Sequence, residues 1–320
     1  MNETSRATQT SGIEIVFFGT GPVAAESLRF LSEHFIIEAV VTKPRPIHHR
    51  GDYPVIDIAN KLGAPIVAVG SAEETSREVT KVSFKSKVAV LIDFGIIVRQ
   101  DVIDCFPLGI INSHFSLLPE WRGADPITFS ILSGQKQTGV SLMDVVVKLD
   151  EGDVYTVGII DLKGSETNPS LTTDLIKLSS ALLQESIPKL AELKPISQDR
   201  LADIISNTSY PRVPSYSHKI TKQDGVIDLS KPAIQLEREV RAYLGWPGSR
   251  MEIAGKDVVI TATHVAHISF ENVDEKTIFV ANKQLCLQTA DGILVIDELK
   301  PAGRPAMPAT AFLAGYSQFL

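Results

Sequence analysis

The chain has few cysteines and no long apolar run. Its 320 residues include two cysteines, Cys105 and Cys286, which lie far apart and form no C-x-x-C spacing. Such a pair predicts neither a disulfide framework nor a zinc site. No apolar stretch reaches the roughly 20 residues that a membrane helix needs, and the polar start, residues 1–12, lacks the apolar region of a secretory signal. We expect a cytoplasmic protein with no membrane partner and no metal.

Excess positive charge is also missing, because the formal net charge is -7. This balance argues against a protein that coats nucleic acid without specificity, since neutralising phosphates needs concentrated lysine and arginine. Residues 43–50 are an exception, with Lys43, Arg45, Arg50 and two histidines but no acid. On charge alone, the segment fits a solvated loop as well as a local nucleic-acid contact.

Short apolar segments alternate with amphipathic ones in the first half of the chain. The segments predicted as strands are 13–18, 36–42, 65–69, 88–92, 109–113, 139–148 and 154–162. Those predicted as helices are 24–31, 55–62 and 172–193. Uninterrupted apolar strands that alternate with helices indicate an α/β fold with a Rossmann-like parallel sheet, covered on both faces. Ligands of such sheets bind beyond the carboxyl ends of the strands.

The pattern changes where prolines punctuate polar sequence. We predict a catalytic domain at 13–194, a linker at 195–215 and a C-terminal domain at 216–320. Short alternating segments in the last region predict strands at 251–253, 258–266, 277–281, 285–289 and 293–299. Several short strands at this spacing are typical of a small β-barrel.

Two polar side chains stand at the end of the strand predicted at 109–113. Asn112 and His114 are two residues apart, so an extended strand end puts them on one face. An amide N–H and a protonated imidazole are suitable donors to the oxyanion of a tetrahedral transition state. Asp150, in the acid-rich turn 149–153, is the candidate partner for His114, since a nearby carboxylate stabilises an imidazolium.

Taken singly, a residue of each of these types more often has a structural role than a catalytic one. Asn112 would bond local backbone, and Asp150 would cap a turn. Ser116 beside His114 does not indicate a hydrolase triad, because no G-x-S-x-G elbow surrounds the serine.

Longer motifs surround the three residues. They are N-x-H at 112–114, S-L-L-P at 116–119, W-R-G-A-x-P-I at 121–127 and T-G-V at 138–140. Together they resemble the signature of the folate-dependent formyltransferase family, and Asp150 falls where that family carries its catalytic aspartate. Segments 241–247, 291–294 and 301–307 are similar to the C-terminal domain of the same family. The resemblance thus spans nearly the whole chain.

The resemblance implies an α/β formyltransferase domain followed by a small OB-like β-barrel domain that helps to hold tRNA. It also implies direct transfer of a formyl group from 10-formyltetrahydrofolate to the α-amine of initiator methionyl-tRNA. Asn112, His114 and Asp150 would be the catalytic residues. Folate and the tRNA are the expected partners, and we expect the chain to act as a monomer.

Two binding sites follow from the same resemblance. The residues expected at a pterin pocket are Phe94, Gly95, Ile96, Ile97, Ser116, Leu117, Leu118 and Pro119. Read alone, Ile96 and Ile97 fit a protein core equally well. Lys43, Arg45 and Arg50 would contact the tRNA at phosphates, which positions the acceptor without reading bases.

Three other functions are compatible with parts of the pattern. A sugar-nucleotide N-formyltransferase would share Asn112, His114 and Asp150 but would take an amino sugar as acceptor. In a folate-dependent formyl hydrolase, water would replace the amine. A non-catalytic nucleotide-binding module is weakly supported, because the Gly19-Thr20-Gly21 turn lacks the full G-x-G-x-x-G spacing.

Overall fold

The computed structural model describes residues 12–45, 53–206, 211–266 and 277–316. The chain divides into two compact units. The first unit comprises Met1–Gly123, Gln137–Ile160 and Thr172–Tyr216, and the second comprises Ala124–Lys136, Asp161–Leu171 and Ser217–Leu320. Within the described ranges, no helix combines the length and apolarity needed to cross a bilayer.

The secondary structure elements are numbered in chain order. The strands are β1 (Glu14–Phe18), β2 (Ile36–Thr42), β3 (Ile66–Ala68), β4 (Ala89–Leu91), β5 (Ile110–His114), β6 (Arg122–Gly123), β7 (Gln137–Asp144), β8 (Val154–Asp161), β9 (Tyr216–Ser217), β10 (Ser249–Ile253), β11 (Lys256–Val265), β12 (Ile278–Ala281), β13 (Gln284–Gln288), β14 (Ile293–Pro301) and β15 (Met307–Pro308). The α-helices are α1 (Pro22–Ser32), α2 (Pro54–Leu62), α3 (Ala72–Val79), α4 (Gln100–Ile103), α5 (Pro126–Leu132), α6 (Asn168–Ser186), α7 (Gln198–Ile205), α8 (Ala233–Ala242) and α9 (Ala309–Tyr316). Short 3₁₀ helices cover Ile187–Glu192 and Lys222–Gly225.

The first unit is built on a sheet with the strand order β3-β2-β1-β4-β5-β7-β8. Neighbouring strands from β3 to β5 pair in parallel. In β1, the residues after Glu14 are all buried, as expected for a central parallel strand that is covered on both faces. The predicted α/β class with a parallel-rich sheet is confirmed.

Strand β7 departs from the predicted parallel order, because it pairs antiparallel with β5. A parallel return would need a crossover helix on the face of the sheet. The helix between these two strands, α5, instead packs with α8 in the second unit. The chain therefore comes back along β5 in the opposite direction.

The region predicted as a linker has regular structure of its own. Helix α7 begins after Ser197, whose hydroxyl accepts a hydrogen bond from the Arg200 N–H and caps the helix. The predicted domain boundaries stay a prediction, whereas α7 itself is a feature that the sequence pattern did not indicate.

The second unit contains an antiparallel sheet with the order β10-β11-β14-β13-β12, and β15 adds to β14. The sheet is curled, in agreement with the predicted small barrel. Helix α8 lays Ala233, Leu236 and Val240 on the core of this sheet. Their spacing of three and four residues gives the helix one apolar face.

A buried ion pair fixes the chain after α7 to the loop after β5. Arg212 Nη1 donates to Glu120 Oε2 at 2.5 Å, and the two side chains are 1% and 10% exposed. Burial raises the pKa of Glu120, and the charge and hydrogen bond of Arg212 oppose that rise. Arg212 thus favours the ionised form of Glu120 against the effect of burial.

Replacing Arg212 with Met should lower the free energy of unfolding by about 3–5 kcal/mol at neutral pH, because a buried carboxylate loses its partner. Without Arg212, the pKa of Glu120 rises further in the folded state. Folding then favours the protonated carboxyl, so the loss should shrink as the pH falls from about 7 to about 5. Urea unfolding of the wild type and the variant at both pH values measures this loss in the free energy of unfolding.

Arg29→Met is the matched control, because Arg29 pairs with Glu26 and Glu33 on an exposed helix face. Exposed pairs of this kind contribute little. Equal losses for the two variants, or no pH dependence for Arg212→Met, would contradict the prediction.

Candidate functional site

Strand β5 presents the two polar residues predicted from its end. Asn112 lies opposite Leu91 of β4 and Met143 of β7, so it is in the middle of the sheet. Asn112 is 9% exposed and His114 is 6% exposed. Alternation along the strand puts both side chains on the same face, as predicted.

Asp150 reaches both of these side chains. Its Oδ1 atom accepts a hydrogen bond from Asn112 Nδ2 at 3.2 Å and lies 3.9 Å from His114 Nδ1. Its Oδ2 atom accepts a hydrogen bond from the Gly123 N–H at 2.8 Å. The structure therefore brings the predicted amide, imidazole and carboxylate together in one buried cluster.

The orientation of the His114 ring follows from its other contact. Nε2 lies 2.8 Å from the carbonyl oxygen of Trp121. A carbonyl can only accept, so Nε2 carries a hydrogen, and Nδ1 is the nitrogen that faces Asp150. With Nε2–H directed at Trp121, Nδ1 can donate a hydrogen bond only when it also carries a hydrogen.

Asn112 keeps hydrogen-bonding capacity for a ligand. One N–H of its amide donates to Asp150. Among the residues that the structure describes, no other partner of the Asn112 side chain is found. A second amide N–H is therefore available beside the His114 ring.

The turn that carries Asp150 is held tightly against β7. A Cβ atom on Gly152 would lie 1.9 Å from the carbonyl oxygen of Asp144, so only glycine fits there. The Tyr155 hydroxyl donates to Asp144 Oδ1 at 2.6 Å, and burial raises the pKa of Asp144. Asp150 itself has a φ of 52°, in the left-handed region, where a residue other than glycine is strained.

Sequence reasoning missed the groups that hold the backbone of this turn. Gln198 of α7 donates from Nε2 to the carbonyl oxygens of Asp150 and Gly152, at 2.8 and 3.0 Å. Arg122 donates to Gln198 Oε1 from Nε at 2.9 Å and from Nη2 at 2.7 Å. Arg122 lies in the motif at 121–127, but no sequence signal singled out Gln198.

The residues predicted to line a pterin pocket have mixed environments. Phe94 is 1% exposed, and its ring meets Phe18 edge-on at 5.4 Å between centroids. Gly95 has a φ of 64°, and Ile97 is 65% exposed. Ile96 packs partly against the core. Of the two isoleucines, Ile97 is exposed and Ile96 is half-buried.

The S-L-L-P segment lies inside the protein. Leu117 and Leu118 are fully buried, and Pro119 is also buried. The Ser116 hydroxyl donates to the Glu120 carbonyl oxygen at 2.5 Å, which agrees with the expectation that it is not a nucleophile. Contact of these four residues with folate stays a prediction.

The basic segment is described only in part. The Lys43 ammonium lies 3.4 Å from the Gly95 carbonyl oxygen. Arg45 forms an ion pair with Asp57 at 2.7 Å. Arg50 lies outside the described residues. Among the residues that are described, no group of three or more His, Cys, Asp or Glu side chains could hold a metal ion.

Comparison with protein families identifies the chain. The formyl transferase model matches residues 14–187, more than half of the chain, and the model of the formyl transferase C-terminal domain matches residues 219–317. The chain belongs to the formyl transferase family. The predicted family is confirmed.

Individual relatives of this formyl transferase cover nearly its full length. It is 29% identical over 311 residues to the methionyl-tRNA formyltransferase of Roseiflexus castenholzii, across 95% of this chain and 96% of that one. It is 31% identical over 296 residues to the methionyl-tRNA formyltransferase of Francisella tularensis subsp. novicida, across 90% of each chain.

A solved structure supports the fold. The N-formyltransferase of Helicobacter canadensis, in complex with folinic acid and dTDP-3-aminofucose, aligns with a TM-score of 0.63 at 17% identity. The alignment covers 89% of this formyl transferase and 98% of that chain. At this identity, the likeness concerns the fold alone.

We expect Gly152→Ala to lower both stability and formyl transfer, because the added methyl group would push the Asp150 turn off β7. Overpacking of this kind costs about 1–3 kcal/mol or more. Thermal unfolding and the transfer rate of the purified variant measure the two effects.

Gly63→Ala provides the control for the cost of a lost glycine. Gly63 has a φ of 67° with nothing within 4 Å of an added Cβ, so only backbone strain results. That variant should unfold more easily yet keep the wild-type rate. A Gly152→Ala variant that also kept the wild-type rate would contradict the prediction.

Proposed function

We propose that this formyl transferase transfers the formyl group of 10-formyltetrahydrofolate to the α-amine of initiator methionyl-tRNA. One observation carries the proposal: in a buried cluster, Asp150 Oδ1 lies 3.2 Å from Asn112 Nδ2 and 3.9 Å from His114 Nδ1. The named methionyl-tRNA formyltransferases that match at least 90% of the chain support the acceptor.

In the proposed reaction, Asn112 and His114 stabilise the charge on the formyl oxygen. The amine attacks the formyl carbon, so negative charge grows on that oxygen in the tetrahedral transition state. The second N–H of Asn112 and Nδ1–H of the His114 imidazolium are the donors. Groups fixed before the reaction stabilise a developing oxyanion without reorganising.

Asp150 has two tasks in this mechanism. Its Oδ1 atom stabilises the His114 imidazolium, which lies 3.9 Å away. The same carboxylate accepts the proton that the attacking amine loses when the new C–N bond forms, and returns it to the folate nitrogen as the old C–N bond breaks. No side-chain nucleophile is needed, since the acceptor amine attacks directly.

Exposed apolar side chains on two segments fit a flat heteroaromatic donor. Ile97 lies on the first segment, and Val147 and Leu149 precede Asp150 on the second, with exposures of 65%, 60% and 68%. Apolar side chains with a few fixed polar groups are typical of small-molecule sites. We propose that these side chains contact the pterin.

The proposed tRNA contacts rest on the basic segment. Lys43, Arg45 and Arg50 would bind phosphates of the acceptor end, and such binding would weaken as salt increases. Because charged tRNA is a cytoplasmic substrate, the enzyme would act in the cytoplasm. Its action as a monomer stays a prediction.

The deciding experiment offers two acceptors to the purified protein together with 10-formyltetrahydrofolate. One acceptor is initiator methionyl-tRNA and the other is an amino-sugar nucleotide such as dTDP-3-aminofucose. We expect the formyl group on the methionyl amine. Transfer to the sugar alone, or release of free formate without transfer, would refute the proposed function.

Asn112→Ala should lower kcat about 10²–10³-fold, since that is the usual effect of removing one oxyanion donor. His114→Ala should lose at least as much, while circular dichroism remains that of the wild type.

His34→Ala is the control for the second variant. His34 precedes β2, at the amino ends of the parallel strands and away from the cluster. It should leave the rate unchanged. A His114→Ala protein with the wild-type rate would contradict the mechanism.

A further inference from the structure

We propose that Gln198 is a positioning residue for formyl transfer, which fixes the backbone of the turn that carries Asp150. The inference rests on the proposed function, because it assigns Gln198 a task through Asp150. It concerns a residue outside every motif in the sequence and inside the segment predicted as a linker.

The Gln198 side chain is saturated with hydrogen bonds and 4% exposed. Its two N–H groups bond the carbonyl oxygens of Asp150 and Gly152, and its oxygen accepts from two nitrogens of Arg122. Carbonyl oxygens only accept and a guanidinium only donates, so the orientation of the amide is unambiguous. No other uncharged side chain of this size supplies two donors and an acceptor in one plane.

The same short strand holds Asp150 from two directions. In β6, the Gly123 N–H bonds the carboxylate of Asp150, and the preceding residue, Arg122, holds Gln198, which in turn holds the Asp150 carbonyl. Strand β6 therefore holds the side chain of Asp150 directly and its backbone through Gln198. Asp150 needs this support because its φ of 52° is strained.

Loss of the two Gln198 N–H donors should displace the Asp150 carboxylate relative to His114 but should leave substrate binding intact. Within the described part of the chain, the Gln198 side chain bonds only backbone atoms of the turn and the Arg122 side chain, so substrates would still bind. A displacement of about 1 Å in a catalytic group can cost about 10²-fold in rate. The expected defect is therefore in kcat and not in KM.

Two substitutions separate the contacts of Gln198. Gln198→Met keeps the length of the side chain and removes all four hydrogen bonds. Gln198→Glu keeps the contact with Arg122 and removes both donors to the turn. We expect both variants to lower kcat about 10- to 100-fold, with KM for each substrate changed less than about threefold. Wild-type kcat in Gln198→Glu would overturn the inference, because the donors would then be dispensable.

Ser197→Ala is the matched structural control. Ser197 caps the same helix, and among the described residues its hydroxyl bonds only the Arg200 N–H, so its loss should destabilise α7 and leave kcat unchanged. Hydrogen exchange of the full chain gives a readout that does not depend on activity. Amides of residues 149–153 should exchange faster in Gln198→Met than in Ser197→Ala. An equal fall of kcat in Ser197→Ala would overturn the inference in favour of a general effect of helix stability.

The outcomes distinguish this inference from the proposed function. If Asp150→Asn lowers formyl transfer but Gln198→Met keeps the wild-type kcat, the positioning role is wrong and the proposed function stands. If the wild-type protein formylates no methionyl-tRNA while the turn loosens in Gln198→Met, the proposed function is wrong and the positioning of the turn stands.

Discussion

The buried carboxylate of Asp150 is the constraint on which the candidate site depends. It is 8% exposed, and a buried charge is tolerated only where partners replace water. The partners are the Asn112 amide and the His114 ring of β5 and the Gly123 N–H of β6. Satisfying one carboxylate therefore holds the turn at 149–153 against two other segments, β5 and β6.

Backbone groups position both His114 and Asp150. The Trp121 carbonyl orients the His114 ring, and the Gly123 N–H binds Asp150. Such groups belong to every residue, so they leave no signature in composition or periodicity. The motif at 121–127 was recognised by resemblance, but its physical role as the frame for two catalytic candidates is visible only in the folded chain.

Other motif residues act as scaffold in this structure. Leu118 packs with Met143, Val154 and Leu201, and the Ser141 hydroxyl joins the Ser116 carbonyl to the Leu118 N–H. This part of the motif keeps the loop after β5 in shape. The exposed apolar side chains proposed to contact the pterin are instead Ile97, Val147 and Leu149. A resemblance in sequence does not show which apolar residues are exposed and which are in the core.

The parallel-rich sheet, the small barrel and the placement of Asn112 and His114 on one strand face could be predicted from sequence, because periodicity and strand alternation are local. It did not determine how Asp150 reaches that pair. Strand β7 runs antiparallel, so its end at Asp144 pairs with Ile111, at the start of β5, and the turn must come back along β5. This return, and the hydrogen bonds of Gln198 to the turn, became visible in the folded chain alone, because hydrogen bonds between segments 48 residues apart have no local pattern.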